Sequence, residues 1–196
     1  MIYSVRGNLI LMDAGYAVVE CGGVGYRVQT SITTQKQLKL NTETMLYTYM
    51  NVREDAMELF GFATKGELST FKMLIGITGV GPKVALAILS DLTSEQIAMC
   101  VSSGDSKTLT RANGVGPKLA QRIVLELKDK IKGVTDTAGF DVGKGSVIAD
   151  TGNVPKAVAA LAVLGYSAAD VTPILSKLDP TMPVEAMIAA TLKQMA

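Results

Sequence analysis

Apolar and polar positions alternate with period two through residues 1–62, then change to the three-and-four spacing of helices. Strand-like runs fall at Tyr3–Leu11, Tyr16–Cys21, Val24–Thr30, Met45–Met50 and Met57–Phe62, rich in β-branched and aromatic residues. Asp13-Ala14-Gly15 and Gly22-Gly23 supply turns between the first three, and Arg53-Glu54-Asp55 turns the last hairpin. Five short strands predict a small barrel, and Thr33–Leu38 predicts a helical turn or two between the third and fourth strands.

The helical spacing opens at Thr64-Lys65-Gly66-Glu67, a capping-box pattern that starts a helix running through Ile75. Thr93-Ser94-Glu95-Gln96 opens another through about Val101, Asp105 caps a third short one, and Leu119 to Ile131 forms the longest. From Gly133 to Gly152 the periodicity disappears among glycine, threonine, aspartate and serine, which reads as a linker. As a flexible coil it spans roughly 25 Å root-mean-square. Phe140, Val147 and Ile148 are unusual in a pure spacer and leave transient docking open.

The tail, Asn153–Ala196, returns to helical spacing with stops at Gly165 and Asp179-Pro180, so three helices are expected. Asn153 caps the first with Pro155 in its first turn, Ser167 or Thr172 starts the second, and Pro183 sits in the first turn of the third. Its 44 residues make a marginal core. Leu161, Leu164 and Tyr166 belong either to that core or to a partner surface, and pattern alone does not separate the two. The expected boundaries are a barrel over 1–63, a helical domain over 64–132, the linker over 133–152 and the tail over 153–196.

One phrase occurs twice inside the helical domain. Gly79-Val80-Gly81-Pro82-Lys83 recurs 35 positions later as Gly114-Val115-Gly116-Pro117-Lys118, with Leu74, Ala85 and Ile88 matching Leu109, Ala120 and Ile123. This in-register similarity marks a duplicated unit. Each copy lies between two apolar-periodic stretches and reads as helix, tight hairpin, helix. The glycines admit positive φ, Val80 and Val115 tuck between the helices, and each proline suits the first helical turn. Unpaired N–H groups at a helix N-terminus, with Lys83 or Lys118 beside them, form an anion site whose natural occupant is phosphate. Lys118 and Arg122 stand one turn apart on the exposed face of the longest helix. A single copy would read as a plain helix turn; two copies with lysine at the same place favour sequence-independent phosphate binding.

Charge sharpens that expectation. The net charge is +1 overall, but residues 1–62 hold 5 basic against 6 acidic residues, 63–133 hold 10 against 6, and 134–196 hold 4 against 6. The basic excess lies on the segment with the repeated hairpins, as a nucleic-acid footprint requires. With 48% hydrophobic residues the chain can bury sizeable cores. Cys21 and Cys100, with no histidine, make neither a zinc site nor a disulfide framework, which suits a reducing cytoplasm. The start lacks the apolar core of a signal peptide, and no apolar run reaches the roughly 20 residues of a membrane span.

A catalytic reading finds less support. Gly76 to Lys83 places glycines near a lysine, but Pro82 precedes that lysine and Val84 stands where a phosphate loop needs serine or threonine. The tight acidic pair Glu54-Asp55 lies on a turn, and Glu126, Lys128 and Asp129 alternate as on a solvated helix face. The alternative is a helix-hairpin-helix repair enzyme, a glycosylase or structure-specific nuclease, which needs a pocket or metal cluster beyond the hairpins.

The order of barrel, two Gly-Val-Gly-Pro-Lys hairpins, Gly-rich linker and helical tail resembles the RuvA family of Holliday-junction-binding subunits. Arg53-Glu54-Asp55, Leu59-Phe60-Gly61-Phe62, Ala160-Leu161 and Leu164-Gly165-Tyr166 strengthen the likeness, which covers essentially the whole chain. The fold class is then multi-domain α+β: an N-terminal OB-fold β-barrel, a central all-α tandem helix-hairpin-helix domain and a C-terminal three-helix domain. The resemblance implies a homotetramer holding an open four-way junction during recombination and DNA repair. Gly79, Gly81, Lys83, Gly114, Gly116, Lys118, Arg122 and Arg53 are the expected phosphate contacts, and Glu54 and Asp55 the acidic pin. By the same likeness the tail recruits the RuvB ATPase through Leu161, Leu164 and Tyr166, with the RuvC resolvase as a further partner. No cofactor and no metal are expected. One departure is Pro173 in the second tail helix, which is expected to shorten it.

Overall fold

The structure, a computed structural model, describes residues 1–137, 152–163 and 166–195, and for 131–137 and 163 the backbone alone. It divides into two compact units: Met1–Ser94 with Thr110–Gly116, and Glu95–Leu109 with the described residues from Pro117 onward.

In the first unit five strands close into a barrel in the order β1-β2-β3-β5-β4. They are β1 (Ser4–Asp13), β2 (Tyr16–Cys21), β3 (Val24–Gln29), β4 (Glu43–Val52) and β5 (Met57–Phe62). Neighbours are antiparallel except β3 and β5, which meet in parallel at Gln29 and Phe60 and so close the ring. Period-two alternation turns Leu9, Ala17, Val19, Val28 and Leu46 inward to form the core. Gly61 is glycine because a Cβ there would overlap Val28. The helix expected between the third and fourth strands is α1 (Ile32–Gln37), opened by Ser31, whose hydroxyl accepts the Thr34 N–H at 3.0 Å.

Helix α2 (Lys65–Ile75) starts where the capping box placed it, Thr64 Oγ1 accepting the Glu67 N–H at 3.1 Å. Buried Phe71 meets Tyr49 of β4 and Phe60 and Phe62 of β5 at ring-centroid distances of 5.6, 5.3 and 4.9 Å. The aromatic run Leu59-Phe60-Gly61-Phe62 thus seats the first helix of the hairpin module on the barrel. Helix α3 (Pro82–Asp91) follows the first hairpin.

The second unit holds most of α4 (Ser94–Ser103), then α5 (Ser106–Leu109), α6 (Pro117–Thr137), α7 (Asn153–Val163), α8 (Ala168–Leu175) and α9 (Val184–Met195). Asp105 caps α5 by accepting the Thr108 N–H at 3.2 Å. Helix α6 continues past Gly133 to Thr137, beyond the expected break. One glycine costs about 1 kcal/mol against alanine in a helix, and the four turns already formed carry it. Residues 138–151 of the expected linker, with Phe140, Val147 and Ile148, lie outside the described residues.

The tail has its three helices. Ser167 caps α8, and α8 ends at Leu175, two residues after Pro173. Pro183 stands just ahead of α9 rather than within its first turn, its carbonyl accepting the Met187 N–H at 3.0 Å. Helix α7 packs on α6 as well as on α8 and α9, so the small tail core is extended by the longest helix of the hairpin module. Among the described residues no single helix is long and apolar enough to cross a membrane.

Candidate nucleic-acid interface

The two copies of the repeat fold alike. Leu74 and Leu109, Ala85 and Ala120, and Ile88 and Ile123 are all fully buried, and Val80 and Val115 are 4% and 6% exposed. Sequence identity at these positions therefore reports equivalent packing. In the first hairpin the Val80 N–H donates to Ile77 O at 3.0 Å, and in the second the Val115 N–H donates to Ala112 O at 3.1 Å.

Within each copy the glycines divide the work. Gly79 and Gly114 have φ of +93° and +84°, a region that L side chains avoid. Gly81 is extended (φ −85°, ψ 170°), and Gly116 is not at positive φ either, so the expectation of positive φ holds for the leading glycine only. A Cβ on Gly81 or Gly116 would meet nothing within 4 Å. The fold does not require glycine there; what its absence of side chain leaves open is the approach to the helix N-terminus. No side chain caps α3, so the amides of its first turn point outward with the positive end of the helix dipole behind them. Lys83 and Lys118 are exposed at the first turns of α3 and α6, and Arg122 is exposed one turn further along α6. The first hairpin thus offers backbone donors, a bare glycine and an exposed cation, and the second repeats the glycine and the cation, which suits a phosphate group.

The turn between β4 and β5 brings a second feature to the first hairpin. It is closed by the Arg53 N–H donating to Ala56 O at 2.8 Å, and Arg53, Glu54 and Asp55 are exposed at its tip. Arg53 and Asp55 line an open cleft of about 350 Å³ together with Glu58, Gly81 and Lys83. Cations and carboxylates therefore face one another across a groove, so a strand that reaches Lys83 also meets the field of the turn.

The tail residues are placed differently from one another. Leu161 is fully buried among core residues, so the reading that exposes it is corrected: its face of α7 is turned into the helix bundle. Leu164 lies outside the described residues. Tyr166 is half-buried, and its hydroxyl donates to Glu95 Oε1 of α4 at 2.9 Å. Burial first, then the neighbouring carboxylate, push the Tyr166 phenol well above its ordinary range. Sequence reasoning missed this pair because nothing local links residues 71 positions apart.

Comparison with known proteins bears on the whole arrangement. Residues 1–61 match the RuvA N terminal domain, 71–129 a SAM-like helix-hairpin-helix tandem, and 156–196 the RuvA C-terminal domain. A protein of Acetivibrio thermocellus called Holliday junction branch migration complex subunit RuvA is 41% identical over 200 residues, covering 100% of this chain and 99% of the relative. The chain belongs to the RuvA family. Relatives of the same name from Clostridium botulinum (41% over 190 residues, 96% of each chain) and Aliivibrio fischeri (38% over 206 residues, 100% of each) agree. Within this RuvA-family chain the acidic turn falls inside the matched N-terminal domain, and both hairpins fall inside the matched tandem.

Proposed function

We propose that this chain is the DNA-holding subunit of a branch-migration complex, binding four-way junctions as a homotetramer without reading their sequence. The observation that carries the reading is the duplicated hairpin: twice, a lysine and a bare glycine stand at the start of a helix. Such sites take phosphate, and a pair on one module suits the two strands of a duplex arm. Gly79, Gly81, Lys83, Gly114, Gly116, Lys118, Arg122 and Arg53 are the proposed phosphate contacts. Glu54 and Asp55 act as the pin, repelling continuous backbone and favouring DNA whose strands part. Four copies of one arm-gripping module match a four-armed ligand through closed symmetry.

In this reading the chain has no catalytic site of its own. ATP hydrolysis belongs to the RuvB ATPase, recruited by the tail through Leu164 and Tyr166; RuvC is a further partner. The setting is the bacterial cytoplasm. The relatives, called Holliday junction branch migration complex subunits, support the same assignment.

Gel-shift competition between a synthetic four-way junction and linear duplex of equal arm length, with light scattering of the free protein, tests it. Preferred binding of the junction by a four-fold assembly is expected. Equal affinity for both ligands, or a monomer at micromolar concentration, counts against it.

A further inference from the structure

We infer that α1 is a polar clasp that sets the angle between the acidic turn and the first hairpin, making Thr33, Thr34, Glu67 and Ser90 positioning residues for junction selectivity. The inference rests on the junction-binding reading above. At six residues α1 is too short to hold itself by helical bonding. It is held by side-chain bonds in three directions. Toward the barrel, Gln35 Nε2 donates to Asp13 O at 2.8 Å and to Tyr16 O at 3.3 Å. Toward α3, Ser90 Oγ accepts the Ile32 N–H at 3.0 Å and Thr33 Oγ1 donates to Leu89 O at 2.6 Å.

The third direction is the buried one. Thr34 Oγ1 donates to Glu67 Oε2 of α2 at 2.9 Å, Gln37 Nε2 donates to Glu67 Oε1 at 3.0 Å, and the Ala63 N–H donates to Oε2 at 3.0 Å. Thr34 is fully buried and Glu67 is 7% exposed. A buried carboxylate is tolerated only when its acceptor sites are filled, and directional bonds fix an angle that apolar packing alone leaves free to slide. The capping role of Glu67 uses its backbone N–H; its carboxylate holds α1 and, in addition, the Ala63 N–H just ahead of α2.

The leverage lies in α3. The clasp grips its C-terminal end at Leu89 and Ser90, while its N-terminal end carries Gly81 and Lys83 into the cleft shared with Arg53 and Asp55. Seven helical residues span on the order of 10 Å, so a tilt of about 10° at the clasp moves the lysine by about 2 Å. Displacement of that size changes which DNA meets hairpin and carboxylates together. It leaves the hairpin itself, and hence plain phosphate binding, intact.

The test compares the full-length protein with Thr33→Val/Ser90→Ala, with Thr34→Val and with Glu67→Gln, each checked for fold by circular dichroism. A core truncation in the barrel, Val19→Ala, serves as the control for lost stability. Competition of four-way junction against linear duplex at fixed salt is the readout. The clasp variants are expected to lower the junction-to-duplex ratio about five-fold, the equivalent of one net hydrogen bond, while Val19→Ala keeps it. If the buried variants do not fold, the half-buried pair Thr33→Val/Ser90→Ala decides, since water can replace what it removes. An unchanged ratio in folded clasp variants, or an equal fall in Val19→Ala, overturns the clasp. A wild-type protein without junction preference instead removes the underlying functional reading and the clasp with it.

Discussion

At the residue scale the two glycines of one hairpin make opposite predictions. Gly79 sits at φ +93°, so Gly79→Ala is expected to destabilise the fold by about 1–2 kcal/mol, read as a lower melting temperature. Gly81 is extended with open space at its Cβ position, so Gly81→Ala is expected to melt as the wild type does and yet bind junction DNA more weakly. A Gly81→Ala protein with wild-type affinity would show that the hairpin does not face phosphate. Lys118 and Arg122 are exposed on one face of α6. Replacing both with alanine is expected to weaken binding equally for all junction sequences and to flatten the logarithmic salt dependence by about 2, because the lost contacts are to phosphate. A sequence-dependent loss measured by gel shift would contradict that assignment.

At the scale of elements, the β4–β5 turn and the contact between tail and α4 each have a consequence. Arg53 and Asp55 share a cleft with Lys83, so under the proposed function attraction and repulsion act on the same strand. Glu54→Gln with Asp55→Asn is therefore expected to tighten linear duplex and lower the junction-to-duplex ratio; an unchanged ratio in competition gel shifts makes the turn an ordinary solvated one. The Tyr166 to Glu95 hydrogen bond joins the start of α8 to α4. The folded-state pKa of Tyr166 is raised from the ordinary phenol value of 10.0, so its contribution is present below that value and lost as pH rises above it. Chemical denaturation should show wild type more stable than Tyr166→Phe by about 1 kcal/mol at neutral pH, with the difference shrinking above pH 10. A constant difference across that range would mean the phenol is not held protonated.

At the scale of the whole molecule, the basic excess and the tail lie on different segments. Under the proposed function, binding and coupling to a motor are then expected to be separable. A chain ending at Thr137, which keeps α6 whole, is expected to bind junctions but not to support ATP-driven migration by RuvB. Because α7 packs on α6, the truncated chain is also expected to melt at a lower temperature than the full chain. Normal migration by the truncated protein, followed on a labelled junction, would move the partner surface out of the tail.

The sequence by itself determined what depends on near neighbours. Period-two alternation placed the strands, Thr64 and Asp105 marked helix starts, and the repeated Gly-Val-Gly-Pro-Lys located both hairpins with their lysines, while Ser167 and Thr172 stayed open as the start of α8 until the structure chose Ser167. Turns, caps and periodicity act within a few residues, so their signals survive in one dimension. Only the tertiary structure decided which apolar residues are covered and where side-chain polar groups are spent. It buried Leu161, gave Glu67, already part of the α2 cap, a second role as the anchor of α1, and joined Tyr166 to Glu95 across 71 positions. It also separated Gly79, required by backbone conformation, from Gly81, which the fold itself does not require, though both are the same letter in the same motif. Burial and hydrogen bonding depend on what another part of the chain brings into contact, and that is settled when the elements pack rather than when they form.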